Sequence, residues 1–156
     1  MQTQSSAKIL LLVHQNAVSA VDRINGFLDT IKGHDAYQVV DRKDCLGQTD
    51  LSMPQVESVI NSAESFDTVM ALNDQVAIGA LAAIENMGLT DTVKIYGIDG
   101  SPDMKTLLAT TSSIQATVAQ SPITIGEKAI QAGYQLDKGK KGFCCKVLNL
   151  LSNKVE

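Results

Sequence analysis

Several residue types are scarce in this 156-residue chain, and their scarcity limits the kind of protein it can be. It has three cysteines, no tryptophan, and aromatic residues at only 4%. Two of the cysteines are adjacent, at Cys144 and Cys145, and three are too few for a disulfide framework. No basic block stands out against the net charge of −4, which argues against nucleic acid as a partner. No apolar run approaches the ~20 residues of a membrane-spanning helix.

The hydrophobic share of 44% is enough for a real core, and the length fits one domain or one lobe of a larger one. The start, MQTQSS, lacks the charged-then-apolar pattern of an export signal, so we expect no such signal in the chain. We expect residues 1–7 to be a disordered or added start and residues 8–151 to form one α/β lobe.

The stretch 68–100 predicts a β-α-β unit. Two short apolar runs, TVMAL and VKIYGI, end at Asn73 and at Asp99, as buried strands bounded by turn residues do. Between them, QVAIGALAAIENMG is Ala-rich and closes at Gly88, as expected of a helix. Asn73 and Asp99 therefore follow the carboxyl ends of two parallel strands, the edge at which open α/β sheets bind ligands.

The rest of the chain alternates between strand and helix patterns in the same way. Five strand–helix pairs predict an α/β, flavodoxin-like, doubly wound parallel sheet of order 2-1-3-4-5. The predicted strands are 8–13, 37–41, 68–72, 93–98 and 113–120, with a candidate short sixth strand in CCKVLNLLS. The predicted helices are 20–33 with Ser19 as cap, 53–63 with Ser52 as cap and Pro54 in the first turn, 75–88, 102–108 with Ser101 as cap, and 123–138.

The chain lacks the usual phosphate-binding, dinucleotide-binding and nucleophile-elbow motifs. Of the two histidines, His14 follows a strand and His34 lies at the opposite edge, and neither has a metal-ligand partner at suitable spacing. Asp74, Asp99 and Asp103 leave a flavodoxin-like enzyme or receiver as a hypothesis, but the acidic pair that a receiver has after its first strand is absent. We therefore predict no enzyme activity, no metal site and no cofactor.

Polar side chains converge at the predicted strand ends without a nucleophile–base pair. Arg23 lies in the first turn of a helix, where a cation opposes the helix dipole, and this placement indicates a local role. Sugar hydroxyls both donate and accept hydrogen bonds, so such a set suits a carbohydrate. The alternatives are a solvated surface position for Arg23, a helix cap for Asn73 or Asp74, a turn residue for Asp99 and a solvated strand end for Gln120. The candidates are Arg23, Asn73, Asp99 and Gln120, followed by His14, Gln15 and Asn16.

Four segments carry a resemblance to one family: SAVDRINGF, ALNDQVAIGALAAIENMG, VKIYGIDGSPD and ATVAQSPITIGEKAIQAGYQLDKGK. They contain, in order, the patterns N-D-x-x-A-x-G-A, G-x-D-G-[ST]-P and T-V-A-Q-x-P. Over residues 8–138 the chain resembles the carboxyl-terminal half of the type 1 periplasmic sugar-binding proteins, in their ribose-binding-like branch. The resemblance implies that Arg23, Asn73, Asp99 and Gln120 contact a sugar.

The resemblance implies a solute-binding protein that delivers a monosaccharide (a pentose, hexose or inositol) to the membrane permease of an ABC importer. Its place would be the periplasm or, as an anchored lipoprotein, the outside of the cell. The alternative is the ligand-sensing lobe of a LacI-type transcription regulator or of a sensor kinase. Such proteins bind sugar between two lobes, and this chain matches the second. We expect the missing amino-terminal lobe to supply the aromatic face, and this chain alone to bind sugar weakly or not at all.

In that family the helix matching 123–138 crosses to the other lobe. Here it carries an apolar stripe that requires burial. We expect it either to fold onto its own sheet, to dock on another copy by swapping, or to stay unpacked, so that a homodimer formed by self-association is one expected state.

Overall fold

The computed structural model describes residues 5–62 and 64–139. The chain divides into two compact units, the first ending at Ala119 and the second beginning at Gln120. In chain order the first unit contains β1 (Ala7–Val13), α1 (Val18–Ile31), β2 (Tyr37–Asp44), α2 (Thr49–Asn61), β3 (Thr68–Ala71), α3 (Asp74–Asn86), β4 (Lys94–Asp99), α4 (Pro102–Thr110) and β5 (Ile114–Ala119), and the second contains α5 (Pro122–Asp137).

The first unit is built on a parallel sheet of order β2-β1-β3-β4-β5, which confirms the predicted fold class. All four residues of β3 are buried, as expected of a central parallel strand covered on both faces. On one face, Phe27 of α1 lines a cavity with Ile9 of β1. On the other, Met104 of α4 and Ala77 of α3 approach Gly97 of β4. Because all five strands are parallel, their carboxyl ends lie at one edge of the sheet.

Helices α2 and α3 cross at very close range. A Cβ on Gly79 would meet the backbone oxygen of Thr49 and would lie 2.8 Å from Oγ of Ser52. The buried hydroxyl of Ser52 donates to the carbonyl of Val76 at 2.7 Å, so the crossing is also fixed by a hydrogen bond. Only glycine fits at the contact point, and the close crossing holds α3, which begins after Asn73, against α2.

Two predicted helix starts are wrong. The N-cap residue of α1 is Ala17, not Ser19, because the carbonyl of Ala17 already accepts the first helical hydrogen bond, from the backbone of Val21 at 3.0 Å. Helix α2 begins at Thr49 and has Gln48 as its N-cap residue, so Ser52 is inside the helix and faces α3 rather than capping it. Pro54 accordingly lies in the second turn of α2, not the first. Neither N-cap residue makes a side-chain capping hydrogen bond, and Ser52 contacts α3 instead.

Strand β2 is longer than predicted, because β1 provides backbone partners as far as the pair Val13 and Asp44. Its charged end is tolerated at the sheet edge, where solvent is available. The remaining bounds agree with prediction within two residues, and Ser101 caps α4 as expected. Strand β1 includes Ala7, which had been assigned to the disordered start. The candidate sixth strand lies outside the described residues.

In the second unit, α5 presents large apolar side chains to solvent. They are Ile123, Ile125, Ile130, Tyr134 and Leu136, and Ile123 and Ile130 are 77% and 78% exposed. Within the part of the chain that the structure describes, no helix is both long and apolar enough to traverse a bilayer.

The close crossing of α2 and α3 predicts opposite effects for the same substitution at two helical glycines. Gly79→Ala should destabilise the protein by about 1–3 kcal/mol through overpacking. Gly26→Ala in α1, where a Cβ meets nothing within 4 Å, should stabilise it by about 0.5–1 kcal/mol. Urea unfolding of both variants measures the difference, and equal stabilities would contradict the crossing.

The exposed apolar side chains of α5 predict self-association with a second copy of the chain. Sedimentation velocity at increasing concentration should show a monomer–dimer equilibrium. The double variant Ile123→Gln and Ile130→Gln should shift it toward monomer, whereas Glu127→Gln on the same helix should not. A wild-type protein that stays monomeric at all concentrations would refute this prediction.

Candidate functional site

An ion pair joins α1 to the carboxyl end of β4. One Nη of Arg23 lies 3.1 Å from Oδ1 of Asp99, and the other donates to the carbonyl of Leu72 at 3.0 Å. The guanidinium thus bridges the ends of β3 and β4. The Arg23 and Asp99 side chains are 24% and 33% exposed, so the pair adds only about 0–1 kcal/mol to stability while remaining accessible to a ligand.

Arg23 reaches this edge because of the register of α1. Ala20 and Ile24 are the buried residues of the helix and define the side that packs on the sheet. Arg23 is adjacent to that side and in the second turn, not the first as predicted. In the second turn the helix dipole acts on the cation only weakly, so the dipole argument for a local role does not apply, and the salt bridge with Asp99 is what marks the position.

Asp99 has an unusual backbone. Its φ is 139°, in the region that L-residues rarely adopt, and Gly100 follows with φ 69°. A side chain at position 100 would also collide with Ala119, 2.5 Å away. Non-glycine residues in this region cost about 1–3 kcal/mol and are enriched at ligand-binding sites. The turn after β4 thus lowers the stability of the fold, and it holds the Asp99 carboxylate against Arg23.

Asn73 both caps a helix and reaches across to another loop. Its Oδ1 accepts from the backbone of Val76 at 2.9 Å, and its Nδ2 donates to the carbonyl of Gly47 at 3.1 Å. The capping alternative is therefore correct for Asn73. Its carboxamide keeps one N–H and one lone pair beyond these two bonds, and it directly follows Leu72, the residue that Arg23 contacts.

Asp74 is not a cap but a buried connector between loops. It is 1% exposed, and its Oδ2 accepts from the backbone of Ser101 at 2.7 Å. Its Oδ1 accepts from the hydroxyl of Thr117 at 2.6 Å, and that hydroxyl accepts from the backbone of Gly100 at 3.1 Å. Sequence reasoning missed Thr117, since a threonine inside a strand pattern is unremarkable and its partner lies 43 positions away.

The secondary candidates follow β1 on the side of β2. The backbone of Gln15 donates to Asp44 at 3.2 Å, and Asn16 is exposed. His14 is half-buried, and Gly47 lies between it and Asn73: a Cβ at that position would be 3.7 Å and 3.3 Å from their nitrogens. His14 therefore approaches the loop that Asn73 contacts.

Gln120 begins the second unit and is exposed. The structure brings together Arg23, Asn73 and Asp99 at one edge of the first unit, whereas the assignment of Gln120 to the same site stays a prediction.

The edge offers hydrogen-bond donors and acceptors rather than reactive groups. Among residues 5–62 and 64–139, no group of three or more His, Cys, Asp or Glu is arranged to hold a metal. Cys45 is free and buried, and burial, together with the nearby charge of Asp44, raises the pKa of its thiol to about 11. It is thus protonated at neutral pH and a poor nucleophile.

Fold and edge together define an open α/β lobe with polar side chains along the carboxyl edge of its sheet. The chain belongs to the periplasmic binding protein domain family, whose model matches residues 2–141.

The chain is similar to known sugar-binding proteins over most of its length. It is 28% identical over 136 residues to the ribose import binding protein of Salmonella typhimurium, covering 86% of this chain and 45% of that protein. The arabinose ABC transporter binding protein of Shewanella sp. ANA-3, solved with arabinofuranose, matches with a TM-score of 0.81 and 28% identity over 90% of this chain and 47% of that one.

A Lac repressor structure with ONPG matches at a TM-score of 0.75 and 22% identity, covering 85% of this chain and 40% of that one, a likeness of fold alone. The chain spans about half the length or less of the curated relatives it matches.

The strained backbone of Asp99 predicts a difference between two variants that both remove its carboxylate. Asp99→Gly should be more stable than Asp99→Ala by about 1–3 kcal/mol, because only glycine adopts a φ of 139° without cost. Both lose the same ion pair, so chemical denaturation of the two isolates the backbone contribution. If Asp99→Ala is as stable as Asp99→Gly, the turn is not strained.

Proposed function

We propose that this chain is the monosaccharide-binding second lobe of a solute-binding protein that serves an ABC importer. The observation that carries the proposal is the Arg23–Asp99 pair at the carboxyl edge of the sheet, partly open to solvent. A guanidinium offers fixed donors and a carboxylate offers acceptors, so the pair can bind neighbouring hydroxyls of one sugar ring. One relative is named for ribose import and another for an arabinose ABC transporter, which supports a pentose as ligand. A hexose or an inositol is included in the proposal, because its ring presents hydroxyls of the same kind.

Asn73 adds a group that both donates and accepts next to this pair. Because its carboxamide is held by Val76 and Gly47, it loses little freedom when a ligand binds, which favours affinity. In this proposal Gln120 is a further contact, and His14, Gln15 and Asn16 line the side of the site nearest β2. The site binds its ligand without changing it.

One lobe supplies only part of a sugar site. Aromatic faces that stack on the ring are expected from the amino-terminal lobe, because Phe27, Tyr37 and Tyr96 line a cavity on the sheet face together with Ile9 and Met70. The partners in this proposal are that lobe and the importer's permease, and the location is the periplasm or the outer face of the cell. A lobe of a LacI-type regulator or sensor kinase shares the fold and is distinguished by the upstream segment it carries.

Nuclear magnetic resonance is the right test for the isolated chain. At a Kd of about 10 mM and ~10 mM sugar, binding would stabilise the protein by only about 0.4 kcal/mol, which gives almost no thermal shift. Titration of labelled chain with D-ribose, L-arabinose and myo-inositol should instead give saturable shifts of the Arg23 side chain and of the Gly100 and Ser101 amides.

Two matched variants decide the result. Asp99→Ala should abolish the saturable shifts, and Asp91→Ala, which removes an exposed carboxylate just before β4 at the opposite edge, should leave them unchanged. An absence of shifts up to ~100 mM sugar would refute the proposal, because a Kd at that limit corresponds to a binding free energy of only about −1.4 kcal/mol. So would saturable shifts produced by a nucleotide but not by any sugar.

A further inference from the structure

A buried carboxylate follows Asn73 of the candidate site directly in the chain. Asp74 is 1% exposed and accepts hydrogen bonds from the Ser101 backbone at 2.7 Å and the Thr117 hydroxyl at 2.6 Å. A buried charge is unfavourable unless it is well hydrogen-bonded, so a position that merely needed packing would carry an apolar residue at lower cost. The arrangement therefore calls for an explanation beyond packing.

A glycine in β4 leaves the space that this carboxylate occupies. A Cβ on Gly97 would lie 2.6 Å from Oδ1 of Asp74, so any other residue at that point of β4 would displace it. The carboxylate thus reaches under β4 to Thr117 on β5, and it connects the ends of β3, β4 and β5.

The two residues that follow Asp99 are both held by this network. The backbone of Gly100 donates to the Thr117 hydroxyl at 3.1 Å, and the backbone of Ser101 donates to Asp74. Ser101 then caps α4 by accepting from Met104 at 3.2 Å, which anchors the far side of the turn. A backbone as unfavourable as that of Asp99 persists only where its surroundings determine it.

We propose that Asp74 and Thr117 are positioning residues that hold the turn 99–101 so that the Asp99 carboxylate meets Arg23 and a bound ligand. Asp74 and Thr117 do not touch the ligand in this account. They act through the backbone of Gly100 and Ser101, and loss of either lets the turn relax away from Arg23. The ligand part of the inference rests on the proposed function, while the positioning itself does not.

The first experiment needs no ligand. In the wild-type protein, the Gly100 and Ser101 amides should be protected from hydrogen exchange, and the Arg23 guanidinium protons should show their contact with Asp99. Thr117→Val, which keeps the shape and removes the hydroxyl, should lower the protection of Gly100 by about tenfold or more and weaken the Arg23–Asp99 contact. Thr117→Ser, which keeps the hydroxyl, should retain both the protection of Gly100 and the Arg23–Asp99 contact.

A matched variant separates positioning from general loss of stability. Ser113→Ala also removes a buried hydroxyl next to β5, one that donates to the carbonyl of Thr90 at 2.6 Å at the opposite edge. It should cost comparable global stability and leave the Arg23–Asp99 contact intact. If Thr117→Val keeps that contact, or Ser113→Ala disrupts it equally, the inference is wrong. If Thr117→Val fails to fold, the wild-type protein decides the inference. Freely exchanging Gly100 and Ser101 amides would overturn it, and amides protected from exchange would support it.

The second experiment measures sugar affinity in the same variants. Thr117→Val should weaken binding about tenfold, with Thr117→Ser and Ser113→Ala close to wild type. Unchanged affinity in folded Thr117→Val would overturn the ligand part. If wild type binds no sugar, the proposed function fails, and the positioning of Asp99 is decided by the ligand-free measurement alone.

Discussion

The buried carboxylate of Asp74 is the constraint on which the candidate site depends. It links three strand ends that are distant in sequence, and it is satisfied by one backbone amide and one hydroxyl. In the poorly solvating interior each of these bonds counts for more than it would in water, and an unsatisfied partner would be costly. The geometry of the exposed rim therefore depends on a carboxylate that is itself buried.

The rim itself contributes little to stability. The Arg23–Asp99 pair is partly solvated, and the backbone of Asp99 is unfavourable for any residue except glycine. Burial of the core below, with β1 and β3 almost entirely inaccessible to solvent, offsets this unfavourable free energy. Such a division, with a rigid sheet and a strained edge, is typical of binding sites in which ordered side chains wait for a ligand.

The sequence predicted most of the fold because its signals are local. Apolar runs ending in Asn73 and Asp99 defined strands, and alternation of strands and helices defined a parallel sheet. It failed at Ser19 and Ser52, where good cap residues lie inside helices, because the helical hydrogen bonds begin earlier in the chain, at Ala17 and Gln48, and Ser52 bonds to α3 instead. It identified Arg23 and Asp99 separately but not their contact, which depends on how α1 lies against the sheet.

By itself, the sequence determined the order of elements, the edge at which polar residues gather, and the family, since each follows from residue pattern along the chain. Only the tertiary structure decided which of those residues form hydrogen bonds or ion pairs with other groups of the protein. It gave Asn73 a double role, made Asp74 a buried connector and brought in Thr117 from β5. The physical reason is that a hydrogen bond requires two atoms within about 3 Å, and chain separation carries no information about that distance until the sheet has formed.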